Sequence, residues 1–349
     1  MQLGLNLGYW GGGDNHVNLA LAREADQLGY SVVWAAEAYG SDAPTVLAWV
    51  AAQTSRVDVG SAVMQIPART PAATAMTAAT LDSLSGGRFR LGLGVSGPQV
   101  SEGWHGVRFS RPLERTREYV DVVRLALLRQ RVAYDGDHWR LPLPDGPGKA
   151  LQLTVHPVRP SIPLYLASIG PKNLRLTGEI ADGWLGVFVA PEHAAESLDL
   201  IAAGRSAAGL TMEGFDVVPT VPVSVGDDLE ACAEPIRAYS ALYIGGMGSR
   251  QQNFYNALAV RMGFGDAART VQDLFLDRKH REAAAAVPLD FVDRTALIGP
   301  PDRIRDRLHA YASAGVTTLS VAAHAGPLDE RIAALRTVAE ALDAAGLAS

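Results

Sequence analysis

Eight short apolar segments recur along the chain, most of them followed by a helical pattern: Leu3–Gly8, Ser31–Ala35, Val57–Met64, Arg88–Gly94, Pro163–Ala167, Gly183–Val187, Val217–Val225 and Thr317–Ala322. Strands alternating with helices form parallel sheets, and strands that are apolar throughout are buried on both faces. Eight such units predict a closed sheet, so the rhythm reads as an α/β fold, a single (β/α)8 TIM barrel spanning residues 1–349. The helices carry their own punctuation. Asp14-Asn15 can cap a helix with Val17, Leu21, Ala25 and Leu28 on one face and Gly29 at its end; another follows Pro112, and Pro300-Pro301-Asp302 opens one that stops at Gly315. Two stretches break the rhythm, at about 132–158 and 245–296, and both are expected as insertions at the C-terminal, catalytic face.

The composition narrows the function. A formal net charge of −6 without a dense Lys/Arg cluster argues against nucleic-acid binding. No apolar run reaches the roughly 18 residues of a membrane span, and Met1–Leu7 alternates like a strand rather than reading as a signal peptide, so a soluble, cytoplasmic protein is expected. Cys232 is the sole cysteine, which removes a disulfide framework and a cysteine metal site, and it is expected in a helical core. The eight histidines show no ligand spacing, so no metal is expected.

The stretch Ser83-Leu84-Ser85-Gly86-Gly87-Arg88-Phe89-Arg90-Leu91-Gly92-Leu93-Gly94-Val95-Ser96-Gly97 runs from a helix end through a tight turn and a strand into a glycine-rich loop. Glycines let backbone N–H groups approach an anion. The loop spells G-x-G-x-x-G, yet it follows the fourth strand, and no clear helix pattern appears before Arg111, which argues against a dinucleotide fingerprint.

In a barrel, ligands sit at the C-terminal ends of the strands. That rule selects Gly8, Tyr9 and Trp10; Glu37 and Tyr39; Ala62, Val63 and Gln65; Gly94 to Gly97; Ser168 to Lys172; Phe188; and His324. Lys172 lies in the first turn of a helix opened by Gly170-Pro171, where the dipole disfavours a cation: either an anion binds there, or Lys172 is solvated and the small penalty is tolerated. Ser96 with Gly94 and Gly97 offers a second donor set. Glu37 is either a functional carboxylate at the mouth or a rim residue paired with an arginine. His324, and then His105, stand where a proton donor would. Trp10, Tyr39 and Trp104 form either a ring-stacking wall or the rim of the core.

With these segments the chain resembles the luciferase-like monooxygenase superfamily, and within it the coenzyme F420-dependent oxidoreductases of the methylenetetrahydromethanopterin reductase type. The resemblance rests on Trp34–Ala43, Leu81–Arg88 with Leu91–Gly94, Gly170–Asn173 with Ala181–Trp184, and Ile298–Pro300 with Gly315–Thr317. It implies a deazaflavin, or alternatively FMN, at the barrel mouth, backed by a bulge with a cis peptide on the third strand, which maps onto Ala62–Val63. It implies phosphate contacts from Gly94, Val95, Ser96 and Gly97 and from Ser168, Ile169 and Gly170, cofactor contacts from Gly8, Tyr9, Glu37 and Gln65, and a homodimer. The chain departs from relatives that carry Asp-His after strand two, having Glu37-Ala38, and from sugar-phosphate dehydrogenases, having Val95 where those carry Glu. The expected activity is therefore hydride transfer between the deazaflavin and a small substrate with an activated C=C, C=N or C=O bond. The alternatives are an FMN-dependent monooxygenase, with a separate flavin or F420 reductase as partner, and a flavin-binding barrel without catalysis.

Overall fold

The computed structural model describes residues 1–10, 15–323 and 326–348. Eight parallel strands close into a barrel: β1 (Gln2–Asn6), β2 (Val32–Ala35), β3 (Asp58–Ser61), β4 (Phe89–Gly94), β5 (Leu164–Ala167), β6 (Gly183–Val187), β7 (Asp216–Val225) and β8 (Thr318–Ala322), with β8 pairing back onto β1 through Gln2↔Thr318. All eight expected strands are present. The outer layer contains α1 (Asn15–Leu28), α2 (Ala43–Gln53), α3 (Pro71–Leu84), α4 (Pro112–Leu127), α5 (Pro171–Ile180), α6 (Ala194–Ala207), α7 (Pro301–Ser313) and α8 (Leu328–Ala344). The expected cap of α1 at Asp14 lies outside the described residues. Among the described residues no helix is long and apolar enough to cross a membrane.

The two faces of each strand feed two different cores, as the period of two requires. Leu3, Leu5, Val33, Val59, Leu91, Leu93, Leu164, Leu319 and Val321 point outward and pack under the helices. Val32, Trp34, Tyr165, Leu185 and Val218 fill the interior, with Ala62, Val63 and Ala167 packed against them. Trp34 and Tyr165 meet edge to face with ring centroids 5.3 Å apart. Glycines make room for these rings: a Cβ on Gly60 would lie 2.4 Å from the Trp34 ring, and one on Gly183 would lie 2.4 Å from Tyr165. At the N-terminal end of the interior, Arg90 donates to Asp58 at 2.8 Å and to Asp216 at 3.3 Å, and the Tyr165 hydroxyl donates to Asp216 at 3.0 Å. Burial would disfavour the guanidinium charge, but Tyr165 and the two carboxylates outweigh it and hold the Arg90 pKa above its ordinary value.

The Leu81–Arg88 signature is structural and lies at that same end. Asp82 is fully buried and accepts from Val158 N at 2.8 Å, Arg159 N at 3.2 Å and Arg159 Nε at 2.8 Å. Gly86 and Gly87 turn the chain with φ of 69° and 87°, and Arg88 reaches back to the carbonyls of Ala51 and Thr54.

Three expectations need correction. A helix does open directly after Gly97: Pro98–Gly103 has Pro at its start and is too short to show a periodic apolar face. The 132–158 excursion holds the expected hairpin, Tyr134–Asp135 against Arg140–Leu141, but its placement at the catalytic face does not hold. It joins the end of α4 to the start of β5, so it is rooted at the N-terminal end. It lies along the outside of α4, where Glu118 accepts from the backbone of Asp137, His138 and Trp139. The second insertion does stand at the C-terminal end, after β7, but it begins at helix Leu229–Ala241 rather than at Gly245. Its helices build a separate apolar cluster around Ile236, Ile244, Val271, Val287 and Phe291, and Cys232 is buried in it as expected. The strand Leu297–Gly299 then pairs with the end of β7 and returns the chain to α7.

The interior glycines generate a stability prediction. A Cβ on Gly92 would lie 1.9 Å from the Ser61 carbonyl oxygen, which belongs to a strand and has no room to retreat. Gly92→Ala is expected to lower the unfolding free energy by about 3 kcal/mol or more. Gly103→Ala, with nothing within 4 Å of its Cβ, is expected to stay within about 1 kcal/mol of wild type. Urea denaturation of the two variants checks the contrast.

Candidate active site

The C-terminal ends of β2, β3 and β4 are tied together by one buried carboxylate. Glu37 is 8% exposed, and the guanidinium of Arg69 grips it from two nitrogens, the Nη2–Oε2 contact being 2.9 Å. Oε2 also accepts from Ala43 N at 3.1 Å, at the start of α2, and Oε1 accepts from Gln65 N at 3.0 Å. Gln65 extends the chain: its Nε2 donates to the Ala38 carbonyl at 2.6 Å, and its Oε1 accepts from Ser96 Oγ at 2.7 Å. Arg69 also pairs with Asp42, which caps α2 by accepting from Thr45 N at 2.9 Å. A buried charge persists only when paired and hydrogen-bonded, and the planar guanidinium matches a carboxylate in two places. Of the two readings of Glu37, the rim residue paired with an arginine describes its contacts. Arg69 itself was not singled out from the sequence: it follows the third strand by several residues and belongs to no periodic pattern.

The Ala62–Val63 peptide between β3 and the short segment Met64–Gln65 is cis, as the resemblance implied. Gly94 packs against it, for a Cβ there would lie 2.6 Å from Val63 Cγ2. Ser96 has φ 62°, uncommon for a residue with a side chain, and its hydroxyl is directed to Gln65. The adjacent strand β5 ends in the Ser168–Gly170 loop, which is held on three sides. Trp184 Nε1 donates to the Ser168 carbonyl at 2.9 Å, Thr177 Oγ1 donates to Ser168 Oγ at 2.9 Å, and Arg261 of the insertion donates to the Ile169 carbonyl at 3.4 Å. Gly170 precedes α5 and has no side chain to cap it, so the first-turn amides of α5 keep their donors. The space where Cβ would sit is open at Gly170, and at Gly97 the nearest atom is 3.9 Å away. Ser168, Ile169, Phe188, His193, Arg261 and Met262 are among the residues lining a cavity of about 120 Å3 beside this loop.

These features fit a planar ring bearing a phosphate. Ala62, Val63 and Ala167 offer an apolar bed, while open glycine backbones and the Ser168 hydroxyl offer anion donors beside it. Val95 has no donor side chain. Lys172 is exposed in the first turn of α5. Gly8 (φ 65°) accepts from Ala36 N at 3.1 Å, which places Tyr9 at the end of β1, 46% exposed. His105 is half-buried after the Pro98–Gly103 helix, with its Nε2 sealed and without a partner among the described residues. His324 lies outside the described residues. Trp10 belongs to the core, edge-on to Trp49 at 5.6 Å, whereas Tyr39 and Trp104 are each 67% exposed, so the aromatic wall expected from these three is not formed. Such a wall exists elsewhere, from Phe188, Tyr239, Tyr243 and Tyr255, three of which come from the insertion, where no motif marks them.

Removing the partner of Glu37 tests the tie. Arg69→Ala leaves a carboxylate buried on two amide donors and is expected to destabilise the protein by about 3–5 kcal/mol, with part recovered in the Glu37→Gln/Arg69→Ala double variant. Asp42 adds a pH signature. Burial pushes its carboxyl up, but Thr45 and Arg69 outweigh this and hold it below its ordinary value of 3.8. Its contribution is therefore present above pH 3.8 and fades as pH falls through the lowered folded-state value. Asp42→Asn is expected to be less stable than wild type at pH 7, the difference closing in acid; denaturation across pH measures both.

The family comparison agrees with this geometry. The family model described as luciferase-like monooxygenase matches residues 9–318. A protein of Mycobacterium tuberculosis, provisionally named coenzyme F420-dependent oxidoreductase, is 44% identical over 344 residues, covering 96% of this chain and 99% of that one. The 5,10-methylenetetrahydromethanopterin reductase of Archaeoglobus fulgidus is 27% identical over 309 residues, covering 87% and 88%. Among solved structures, the coenzyme F420-dependent tetrahydromethanopterin reductase from Methanopyrus kandleri superposes with a TM-score of 0.83 at 23% identity, covering 97% of each chain, and shares the fold. By its sequence and its barrel, the chain belongs to the luciferase-like monooxygenase family.

Proposed function

We propose that this protein is an oxidoreductase that holds coenzyme F420 at the C-terminal mouth of its barrel and acts by hydride transfer on a small organic substrate with a polarised C=C, C=N or C=O bond. The observation that carries the reading is the arrangement at the ends of β3, β4 and β5. There the apolar bed of Ala62, Val63 and Ala167 lies beside two donor-bearing loops, at Ser96–Gly97 and Ser168–Gly170. The choice of F420 over FMN leans on the relative that is 44% identical, whose name carries that coenzyme.

When bound, the deazaflavin supplies a ring carbon that gives or takes a hydride. The protein's part is to fix its position and keep water away. The first-turn amides of α5, with the Ser168 hydroxyl, would take the phosphate, the Ser96 hydroxyl being given to Gln65; Lys172 adds charge at long range from an exposed position. Val63 and Gly94 would set the height of the ring. Glu37 is assigned as a positioning residue: its oxygens are occupied by Arg69, Ala43 and Gln65, so it acts by fixing the Gln65 and Ser96 side chains rather than by moving a proton. Tyr9 would approach from the β1 side.

Fluorescence titration of the purified protein with F420 and separately with FMN tests the reading. F420 is expected to bind at least about tenfold more tightly, a difference of about 1.4 kcal/mol. Preference for FMN turns the reading toward oxygen-dependent chemistry with a reductase partner, and binding of neither overturns the phosphate assignment.

A further inference from the structure

Helices cover the outside of the strands, so a side chain on the inner face of the barrel meets solvent only at one of its two ends. In β1 the outward residues are Leu3 and Leu5, followed by Leu7, so Asn6 points inward. In β7 they are Val217, Val221 and Val223, so Thr220 points inward as well. Both are half-buried, as are Ala62, Val63 and Ala167 of the cofactor bed, and within 217–223 Thr220 alone is not fully buried. Thr220 lies level with Val187, the last residue of β6, which places it at the C-terminal end, on the floor of the mouth.

Asn6 and Thr220 are joined across β8 by a hydrogen bond whose direction is fixed. Gly8 N donates to Asn6 Oδ1 at 2.7 Å, so the amide must turn its Nδ2 to Thr220, where it donates to Oγ1 at 3.2 Å. Thr220 is the acceptor in this bond, and its own hydrogen goes elsewhere. No group among the described residues takes it: Ser320, its ladder neighbour on β8, is fully buried and its Oγ makes no hydrogen bond. A β-branched side chain has few rotamers, so the hydroxyl stays where Asn6 holds it. The result is an O–H donor at the floor of the mouth that the protein itself leaves unspent.

Its position decides which ligand it meets. The sheet closes in the order β7, β8, β1, β2, β3, β4, β5, β6, so the arc from β7 to β1 stands opposite the arc from β3 to β5 that carries the bed. Trp34, the ladder partner of Asn6, and Val218, two residues before Thr220, pack in one cluster with the bed and join the two arcs. A ring lying on the bed would leave its other face toward Asn6 and Thr220. Neither side chain carries a charge to balance an anion, so the fit is to a neutral oxygen.

We propose that Thr220, held by Asn6, is the hydrogen-bond donor to the substrate's carbonyl oxygen, in an enone, aldehyde or ketone on the free face of the cofactor. The inference rests on the cofactor reading above and adds to it the contact that holds the reacting group. Charge that grows on this oxygen as the substrate takes up a hydride meets a donor already in place. Asn6 is a positioning residue that acts through Thr220. The rest of the substrate falls to the insertion, which meets the barrel at Phe188.

The test uses 2-cyclohexenone carrying 13C at its carbonyl, titrated into protein holding oxidised F420, which has no hydride to give. Carbon NMR reads both the affinity and the surroundings of the carbonyl. In Thr220→Val the enone is expected to bind about tenfold more weakly, with its bound carbonyl upfield of the wild-type position, as a lost hydrogen bond requires. Thr220→Ser is expected to keep both wild-type values. Asn6→Asp, with its carboxyl ionised, keeps the size of the side chain but replaces the Nδ2 donor by an acceptor. It draws the Thr220 hydrogen to itself and is expected to match Thr220→Val. F420 affinity, read by fluorescence without the enone, is expected to be unchanged in all three variants, which shows the site intact. Enone that fails to bind the F420-loaded protein, equal binding by wild type and Thr220→Val, or wild-type behaviour of Asn6→Asp overturns the proposal. A fall in F420 affinity in Thr220→Val gives the pair to the cofactor and overturns it too. Failure of the wild-type protein to bind F420 is a separate outcome and overturns the cofactor reading on which the proposal rests.

Discussion

Glu37 carries a charge where water scarcely reaches, and the mouth of the barrel is arranged around that fact. Its carboxylate has room for several donors, and the chain supplies them from three places: Arg69 beyond the third strand, the amide of Ala43 at the start of α2, and the amide of Gln65 just past the cis peptide. Once tied, they carry Gln65 to Ser96 and so fix the loop after β4 as well. A salt bridge of this kind adds little net stability relative to an apolar substitute, because desolvation offsets the attraction; what it supplies is a single arrangement of three loop ends. An active site needs its supports fixed to a fraction of an ångström, which explains a buried ion pair in a place where leucine would pack well enough.

The opposite end of the barrel follows different physics. Arg90, Asp58, Asp216 and Tyr165 form a plug of paired charges, and Asp82 clamps Arg159 beneath α3. These groups stand at the N-terminal side, where a barrel keeps its stability rather than its chemistry. The conspicuous Leu81–Arg88 stretch belongs here. Its glycines are required by turn geometry and by Arg159 packing against Gly87, and the glycines that concern a ligand are those on the far side of the strand, Gly94 and Gly97.

The strands were legible because short apolar runs are local, and seven of the eight survive into the structure within a residue or two. The third was legible only as one long run, Val57–Met64, since nothing in its composition marks the break at Ala62–Val63; the resemblance to a family located it. The second insertion was read as starting at Gly245, where a glycine-rich turn breaks the rhythm, and the apolar cluster around Phe291 shows that helix Leu229–Ala241 belongs to it as well. Both glycines of the Gly245-Gly246 pair face Phe275: a Cβ on Gly245 would lie 2.5 Å from its Cβ, and one on Gly246 would lie 2.4 Å from its ring. Arg69 and Tyr243 escaped for one reason. Each acts through contacts distant in sequence, and an isolated arginine or tyrosine carries no spacing by which to know it.

The mouth therefore has two walls of different origin. One is built from strand ends and short loops of the barrel, and its apolar support is continuous with the barrel interior through Ala62, Val63 and Ala167. The other is built from an insertion with its own apolar core, joined to the barrel through Phe188 and the end of β7. Substitutions in the first wall disturb Trp34, Tyr165 and the ladder hydrogen bonds, so it suits the partner that never changes, the cofactor. Substitutions in the second are absorbed within a separate cluster and leave the barrel's packing intact, so it suits the partner that distinguishes one enzyme from its relatives. The division predicts where recognition of the substrate is concentrated: in the insertion, where Tyr239 packs on Phe188 and where Leu258 and Arg261 line the cavity beside the Ser168–Gly170 loop.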